Sequence, residues 1–317
     1  MELRRLGRSD LMVAPLVLGT NVFGWTADEK ASFAILDAFV DGGFNAVDTA
    51  DVYSRWSPAG AGASETVIGN WIAQGGRRDR IVLATKVGSE MGEGMKGLSG
   101  QYIEQAVEAS LKRLQTDYID LYQSHRDDPD TPQDETARAY ERLVKAGKVR
   151  VIGSSNFTPE RLKSALEISK SIGAPRYESE QPLYNLYDRA GFEAGLQQLC
   201  IAEEVGVIPY YGLASGFLTG KYRSEEDLAK SPRGRGAKKY MDERGMKKIL
   251  AALDQVAGAH AATPAQVALA WVMAQPGLTG PIASATSVSQ LDELMGSARL
   301  KLSADDLKVL DSASAAA

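Results

Sequence analysis

The period of the hydrophobic pattern changes between two residues and about three and a half residues, and this change recurs along the chain. Eight short apolar runs have the pattern of buried strands, at residues 16–19, 45–48, 81–86, 118–122, 149–153, 177–181, 207–210 and 280–283. Amphipathic stretches with helical spacing lie between them, for example at 31–40, 65–73, 103–114, 135–145, 159–168 and 191–204. Each predicted strand is therefore followed by a predicted helix.

This alternation favours a parallel sheet, because a parallel crossover needs about a dozen residues and a helix spans that distance. Eight such units predict a closed (β/α)8 TIM barrel of the α/β class rather than an open sheet. No linker or composition step divides the sequence, so we interpret residues 1–317 as a single domain. We expect a short hairpin that turns at residues 7–10 to plug the N-terminal mouth. A long loop at 214–244, after the seventh strand, would lie at the C-terminal mouth.

Composition excludes several classes of protein. The chain has 317 residues, 36 Lys+Arg and 41 Asp+Glu, and its formal net charge of −5 argues against nucleic acid as a partner. No apolar stretch approaches the ~18 residues of a membrane span, and the N-terminus lacks an apolar signal region. The one cysteine, Cys200, lies in an apolar helical pattern, which favours a buried thiol over a nucleophile. We expect a cytoplasmic protein that does not bind membranes, and the sequence leaves its oligomeric state open.

Polar residues at the C-terminal ends of the predicted strands are the candidates for catalysis, since active sites of such barrels lie there. Asp48 ends the second strand, Lys86 ends the third, and His125 follows the fourth. A buried Lys86 ammonium needs a carboxylate, and Asp48 on the neighbouring strand is the natural partner. A nearby ammonium would lower the pKa of Tyr53 and make it a general acid, while a neutral His125 could orient the same carbonyl oxygen. This combination suits carbonyl reduction with a nicotinamide cofactor, because no side chain supplies a hydride.

Seven motifs, in chain order, resemble those of the aldo-keto reductases. They are LGT at 18–20, DTADVY at 48–53, ATKV at 84–87, DLYQSH at 120–125, GSSNF at 153–157, QPLYN at 181–185 and GFLTGKY at 216–222. Each motif is weak alone, but the ordered series is specific and extends over essentially the whole chain. The resemblance implies a barrel that binds NADP(H) or NAD(H) in an extended conformation without a Rossmann domain. It also implies that Asp48, Tyr53, Lys86 and His125 are the family's catalytic tetrad.

The same resemblance implies a set of cofactor contacts. It places the nicotinamide carboxamide against Ser155, Asn156 and Gln181, whose side chains offer donors and acceptors, and it stacks the ring on Tyr210. The other cofactor-binding residues that it implies are Gly19, Thr20, Asn21, Leu213, Ser215, Gly216, Lys221, Ser284, Thr286, Ser287, Gln290 and Glu293. The chain departs from the family at 211–212, where Tyr-Gly replaces a pair resembling Ser-Pro, and this departure affects the local phosphate contacts.

The choice between the two cofactors depends on the segment after the last strand. Family members that prefer NADP often have Lys or Arg there for the 2′-phosphate, and residues 284–290 contain neither. Neutral donors and a helix N-terminus could still hold a phosphate. We expect NADP(H), as in the majority of the family, with NAD(H) as the alternative.

We therefore expect an NAD(P)H-dependent reductase of small aldehydes or ketones, which oxidises alcohols in the reverse direction. Trp25 and Trp56 would wall the substrate pocket, with Arg55 and Arg126 near its rim. The alternative is a non-catalytic, nicotinamide-binding regulatory subunit on the same barrel. The glycines at 92–97 match a Rossmann fingerprint, but a mobile active-site loop explains them better. With two histidines and no clustered carboxylates at strand ends, we expect no metal site.

Overall fold

The computed structural model describes residues 1–315 and has a sheet of eight parallel strands at its centre. The strands are β1 (Arg4–Arg5), β2 (Met12–Val13), β3 (Val17–Gly19), β4 (Ala46–Asp48), β5 (Val82–Val87), β6 (Ile119–Ser124), β7 (Val149–Ser155), β8 (Tyr177–Gln181), β9 (Gly206–Val207) and β10 (Ile282–Ala283). β1 and β2 pair as the predicted antiparallel hairpin, and the other eight follow the order β10-β3-β4-β5-β6-β7-β8-β9.

The two outer strands of this order meet and close the sheet. The amide of Thr279 donates to the carbonyl of Val207 at 2.8 Å, and the amide of Ile282 donates to the carbonyl of Pro209 at 2.9 Å. With helices between the strands, this closure confirms the predicted (β/α)8 barrel.

The helices lie between the strands and cover the outside of the sheet. They are α1 (Glu29–Asp41), α2 (Ala63–Ile72), α3 (Gly100–Leu114), α4 (Gln133–Lys145), α5 (Pro159–Ile172), α6 (Ala190–Glu193), α7 (Leu196–Ala202), α8 (Gly234–Ala237), α9 (Leu250–Ala259), α10 (Pro264–Ala274), α11 (Val288–Gly296) and α12 (Ala304–Ser314). The prediction of one helix at 191–204 is wrong, because Gly195 adopts a φ of 125° and separates α6 from α7. The predicted strand at 207–210 is shorter, because Pro209 has no N–H to continue the ladder.

The hairpin closes the N-terminal end of the barrel, as predicted. Apolar side chains from the starts of the strands fill the interior, and Leu6, Leu11 and Val13 of the hairpin pack against them. The guanidinium of Arg4 donates to the carbonyl oxygens of Met273, Leu278 and Thr279 at 3.0, 3.1 and 3.2 Å. These bonds tie the hairpin to the seam where β9 meets β10.

The opposite end of the barrel is open and is partly covered by residues 214–244, a series of short helical turns. Tyr211, Ala214 and Ser215 in and before this segment have positive φ angles of 59°, 47° and 57°. Non-glycine residues in the left-handed region are uncommon and cluster at functional sites, so this segment is a candidate binding loop. Within residues 1–315, no helix is long and apolar enough to cross a membrane.

Candidate active site

A fully buried ion pair lies at the C-terminal ends of β4 and β5. Lys86 Nζ donates to Asp48 Oδ2 at 2.6 Å, to the carbonyl oxygen of Thr49 at 2.8 Å and to Tyr53 Oη at 3.0 Å. Neighbouring parallel strands with matched register bring these groups together, since Asp48 pairs with Ala84, two residues before Lys86. The predicted ion pair between Lys86 and Asp48 is therefore confirmed, and the Tyr53 hydroxyl lies against it.

The second oxygen of Asp48 accepts two amide hydrogen bonds. Gln123 Nε2 donates to Asp48 Oδ1 at 3.2 Å, and Gln181 Nε2 donates to the same oxygen at 3.0 Å. Gln123 lies on β6, two residues before His125, and is fully buried, but the sequence analysis did not select it. Its spacing from His125 could have identified it, because residues two apart on a strand face the same side of the sheet.

The electrostatics of the cluster keep both proton-bearing groups protonated at neutral pH. Burial opposes the charge of Lys86, but Asp48 and Tyr53 raise its pKa above the usual value. Burial raises the pKa of Tyr53 to about 12, although the Lys86 ammonium acts in the opposite direction. The expectation of a lowered Tyr53 pKa is therefore wrong in its net direction, since burial of the phenol outweighs the attraction of the cation.

His125 faces Tyr53 across the same end of the barrel. The two rings meet edge to face, with centroids 6.0 Å apart. Burial, followed by the charges of Lys86 and Arg126, lowers the pKa of His125 well below its usual value. The imidazole is therefore neutral at physiological pH, as predicted, and its Nδ1 has no hydrogen-bond partner within the described chain.

A cavity of about 1550 Å³ extends from Tyr53 and His125 across the C-terminal mouth to α11. Most of the predicted binding residues line it: Gly19, Asn21, Trp56, Arg126, Ser155, Asn156, Gln181, Tyr210, Leu213, Ser215, Gly216, Lys221, Ser284, Thr286, Gln290 and Glu293. The loop at 88–97 also contributes to the lining, through Gly88, Ser89, Glu90, Lys96 and Gly97.

Three predicted residues are not part of this lining. Thr20 is fully buried, and its hydroxyl donates to the carbonyl of Asp48 at 2.9 Å. Trp25 packs at right angles to Trp56, with ring centroids 5.8 Å apart. Ser287 is the N-cap of α11 and accepts a hydrogen bond from the amide of Gln290. Thr20 is therefore internal to the protein, whereas Ser287 is exposed at the start of α11.

The residues predicted to contact the nicotinamide carboxamide and ring are joined to one another by hydrogen bonds. Ser155 Oγ donates to the carbonyl of Gln181 at 2.8 Å, and Asn156 Nδ2 donates to Ser155 Oγ at 3.0 Å. Tyr210 Oη donates to Asn156 Oδ1 at 2.8 Å. Gln181 Nε2 is held by Asp48 and Gln123, while its Oε1 accepts no hydrogen bond from residues 1–315. One free amide acceptor thus lies beside the ion pair.

Asp51 is a buried carboxyl group in the same loop that the sequence analysis did not single out. Its oxygens have no hydrogen-bond partner within residues 1–315. Burial, reinforced by the Glu65 carboxylate, raises its pKa to about 8. A group whose pKa is higher in the folded than in the unfolded protein stabilises the fold at low pH, and this stabilisation is lost as the pH rises through the folded value.

We expect Asp51→Asn to reduce the loss of stability with rising pH. Between pH 6 and pH 8 the native protein loses about 2 kcal/mol through Asp51, because the unfolded carboxyl is ionised there while the folded one is largely protonated. Urea unfolding at both pH values measures this difference, which the neutral amide removes. Asp292→Asn, at an exposed position on α11, is the matched control and should unfold with the native pH dependence. Equal pH dependence in the native protein and Asp51→Asn would contradict the prediction.

Comparison with known proteins shows which family has sequences similar to this one. The sequence profile of the Aldo/keto reductase family matches residues 15–315. The chain belongs to this family. It is 39% identical to "Uncharacterized oxidoreductase YrpG" of Bacillus subtilis (strain 168), over 98% of this chain and 95% of the relative. It is 34% identical to "Aldo-keto reductase yakc [NADP(+)]" of Schizosaccharomyces pombe, over 90% and 83%. It is 33% identical to "Probable voltage-gated potassium channel subunit beta" of Arabidopsis thaliana, over 93% and 90%.

Membership in the aldo/keto reductase family makes this protein an NAD(P)-dependent oxidoreductase. It also confirms the resemblance that the seven motifs indicated. Aldo/keto reductases act on small carbonyl compounds with a nicotinamide cofactor, and the cavity at the mouth of this barrel lies beside the ion pair.

Proposed function

We propose that this protein reduces an aldehyde or ketone with NADPH, with Tyr53 as the general acid. The observation that carries the proposal is the position of the Tyr53 hydroxyl, 3.0 Å from the Lys86 ammonium, which is itself 2.6 Å from Asp48. A protonated phenol held by a cation at a cavity wall is suited to protonate an oxygen that becomes negatively charged.

The residues along the cavity fit an extended nicotinamide dinucleotide. At one end, the free Oε1 of Gln181 and the hydroxyl of Ser155 offer acceptor and donor groups for a carboxamide, and Tyr210 offers a ring face beside them. The bound cofactor supplies the hydride, which no side chain can provide. Lys221, beside the backbone at Ser215 and Gly216, offers positive charge for the pyrophosphate.

Each residue of the cluster then has a distinct task. Tyr53 holds the proton that passes to the substrate oxygen. Lys86 fixes the position of the phenol and stabilises negative charge on its oxygen, while Asp48 holds the Lys86 ammonium in place. The neutral imidazole of His125 donates a hydrogen bond to the same substrate oxygen and orients it.

The adenosine end supports NADP(H) as the cofactor. The N-terminus of α11, capped by Ser287, lies at the far end of the cavity with the hydroxyls of Ser284 and Thr286 beside it. A helix N-terminus with hydroxyl donors is a suitable site for the 2′-phosphate. The relative from Schizosaccharomyces pombe carries NADP(+) in its name. NAD(H) is the second candidate, because residues 284–290 contain no cation and Glu293 adds a carboxylate to the wall.

A panel of carbonyl compounds and alcohols, assayed with both reduced and both oxidised cofactors, tests this function. We expect carbonyl-dependent consumption of NADPH, with a higher kcat/KM than for NADH. The plant relative named as a channel subunit supports the alternative of a regulatory, nicotinamide-binding protein. Tight cofactor binding by the folded protein, without turnover of any carbonyl or alcohol in the panel, would favour that alternative.

A further inference from the structure

We propose that the substrate is a carbonyl compound with a carboxylate group, and that Arg126 binds this carboxylate. The proposal rests on the proposed carbonyl reduction and adds a substrate class to it.

Arg126 lines the cavity and is an exposed residue directly after His125. Its guanidinium forms no ion pair and no hydrogen bond with any group of residues 1–315. The nearby Arg161, in contrast, forms an ion pair with Asp127. The free guanidinium is therefore a property of position 126. A guanidinium with five donors in a planar fork is suited to a carboxylate.

The two acidic residues directly after Arg126 in the chain are held by other partners. Asp127 forms a two-pronged ion pair with Arg161, at 2.7 and 2.9 Å. Asp128 accepts from the amide of Leu98 at 2.7 Å and from the hydroxyl of Thr131 at 2.7 Å. The local fold thus pairs Asp127 and Asp128 with groups other than the Arg126 guanidinium.

The free charge lies next to the reacting groups. The positive charge of Arg126 contributes to lowering the pKa of His125, and it also opposes the raised pKa of Tyr210. Arg126 also follows His125 directly in the chain, and both residues line the same cavity as Tyr210. Lys221, the cation proposed above for the pyrophosphate, lies in the loop after β9 instead.

The surrounding surface fits the body of such a substrate. Trp56 is 49% exposed and packs against Tyr53, with ring centroids 6.4 Å apart. Arg55 adds a second cation, whose guanidinium donates to the carbonyl oxygen of Glu90 at 2.9 Å and to no other group of residues 1–315. The carboxylates of Glu90 and Asp130 also line the cavity, but neither is paired with Arg126. An aromatic or short aliphatic body beside Trp56, with an anionic end at Arg126, matches this arrangement.

Matched aldehydes provide the test, with 4-formylbenzoate as the anionic probe and 4-formylbenzamide as its neutral counterpart. We expect the native enzyme to prefer the carboxylate in kcat/KM by about tenfold or more, mainly through KM, because charge-assisted hydrogen bonds contribute on this scale. Arg126→Ala should remove this preference. Arg126→Lys should keep part of it, since an ammonium retains the charge but not the planar fork.

Arg299→Ala is the matched control, because it removes one exposed positive charge outside the cavity lining and should keep the native preference. A native enzyme that reduces both aldehydes without preferring the carboxylate, or an Arg126→Ala variant that keeps the preference, overturns the proposal and leaves carbonyl reduction intact. Failure of the native protein to reduce either aldehyde or unsubstituted benzaldehyde, with NADPH or NADH, would instead overturn carbonyl reduction and the substrate class together.

Discussion

Tyr53→Phe is expected to lower kcat for carbonyl reduction by about 10²- to 10⁴-fold, the range that a positioned general acid contributes. The substitution removes one oxygen atom and keeps the ring that packs against Trp56 and His125. Lys86 keeps its bonds to Asp48 and to the carbonyl of Thr49, so the local structure should persist. The dissociation constant for NADPH should stay close to the native value.

Steady-state oxidation of NADPH and a fluorescence titration of the cofactor measure these two quantities separately. Tyr118→Phe is the matched control, because its hydroxyl lies at the N-terminal side of β6, away from the cavity. This control should have native kcat. A Tyr53→Phe variant with kcat within tenfold of the native value would remove Tyr53 from the role of general acid.

The sequence was sufficient to predict the ion pair because the pair follows from which residues end neighbouring strands. A lysine at the end of a buried strand requires a carboxylate, and Asp48 ends the neighbouring strand. The pKa of Tyr53 could not be predicted in the same way. Its direction depends on how deeply the loop buries the phenol, and residue spacing does not contain that information.

The direction of side chains in loops also could not be predicted from the sequence. Trp25 and Trp56 both follow barrel strands and were predicted as equal parts of the pocket wall, yet only Trp56 lines the cavity. Gln123 was missed for a related reason, since an amide within a strand has many structural uses. Its function as a donor to Asp48 follows only from the register that brings β4, β6 and β8 around one interior.

Lys86→Met is expected to lower the free energy of unfolding by about 3 kcal/mol and to abolish turnover. The substitution leaves the Asp48 carboxylate buried without its cation, and an uncompensated buried charge is costly. The amides of Gln123 and Gln181 still donate to Asp48, which limits the loss. Urea unfolding and NADPH oxidation give the two readouts.

The double variant Asp48→Asn with Lys86→Met separates stability from chemistry. Replacing both charges removes the buried carboxylate, while the asparagine oxygen can still accept from the two glutamine amides. We therefore expect the double variant to recover most of the stability that Lys86→Met loses, since neutral replacement of a buried pair is often tolerated. Turnover should stay absent, because Tyr53 no longer has a cation 3.0 Å from its oxygen. Recovery of activity together with stability would mean that the ion pair only supports the fold and that Tyr53 donates its proton without it.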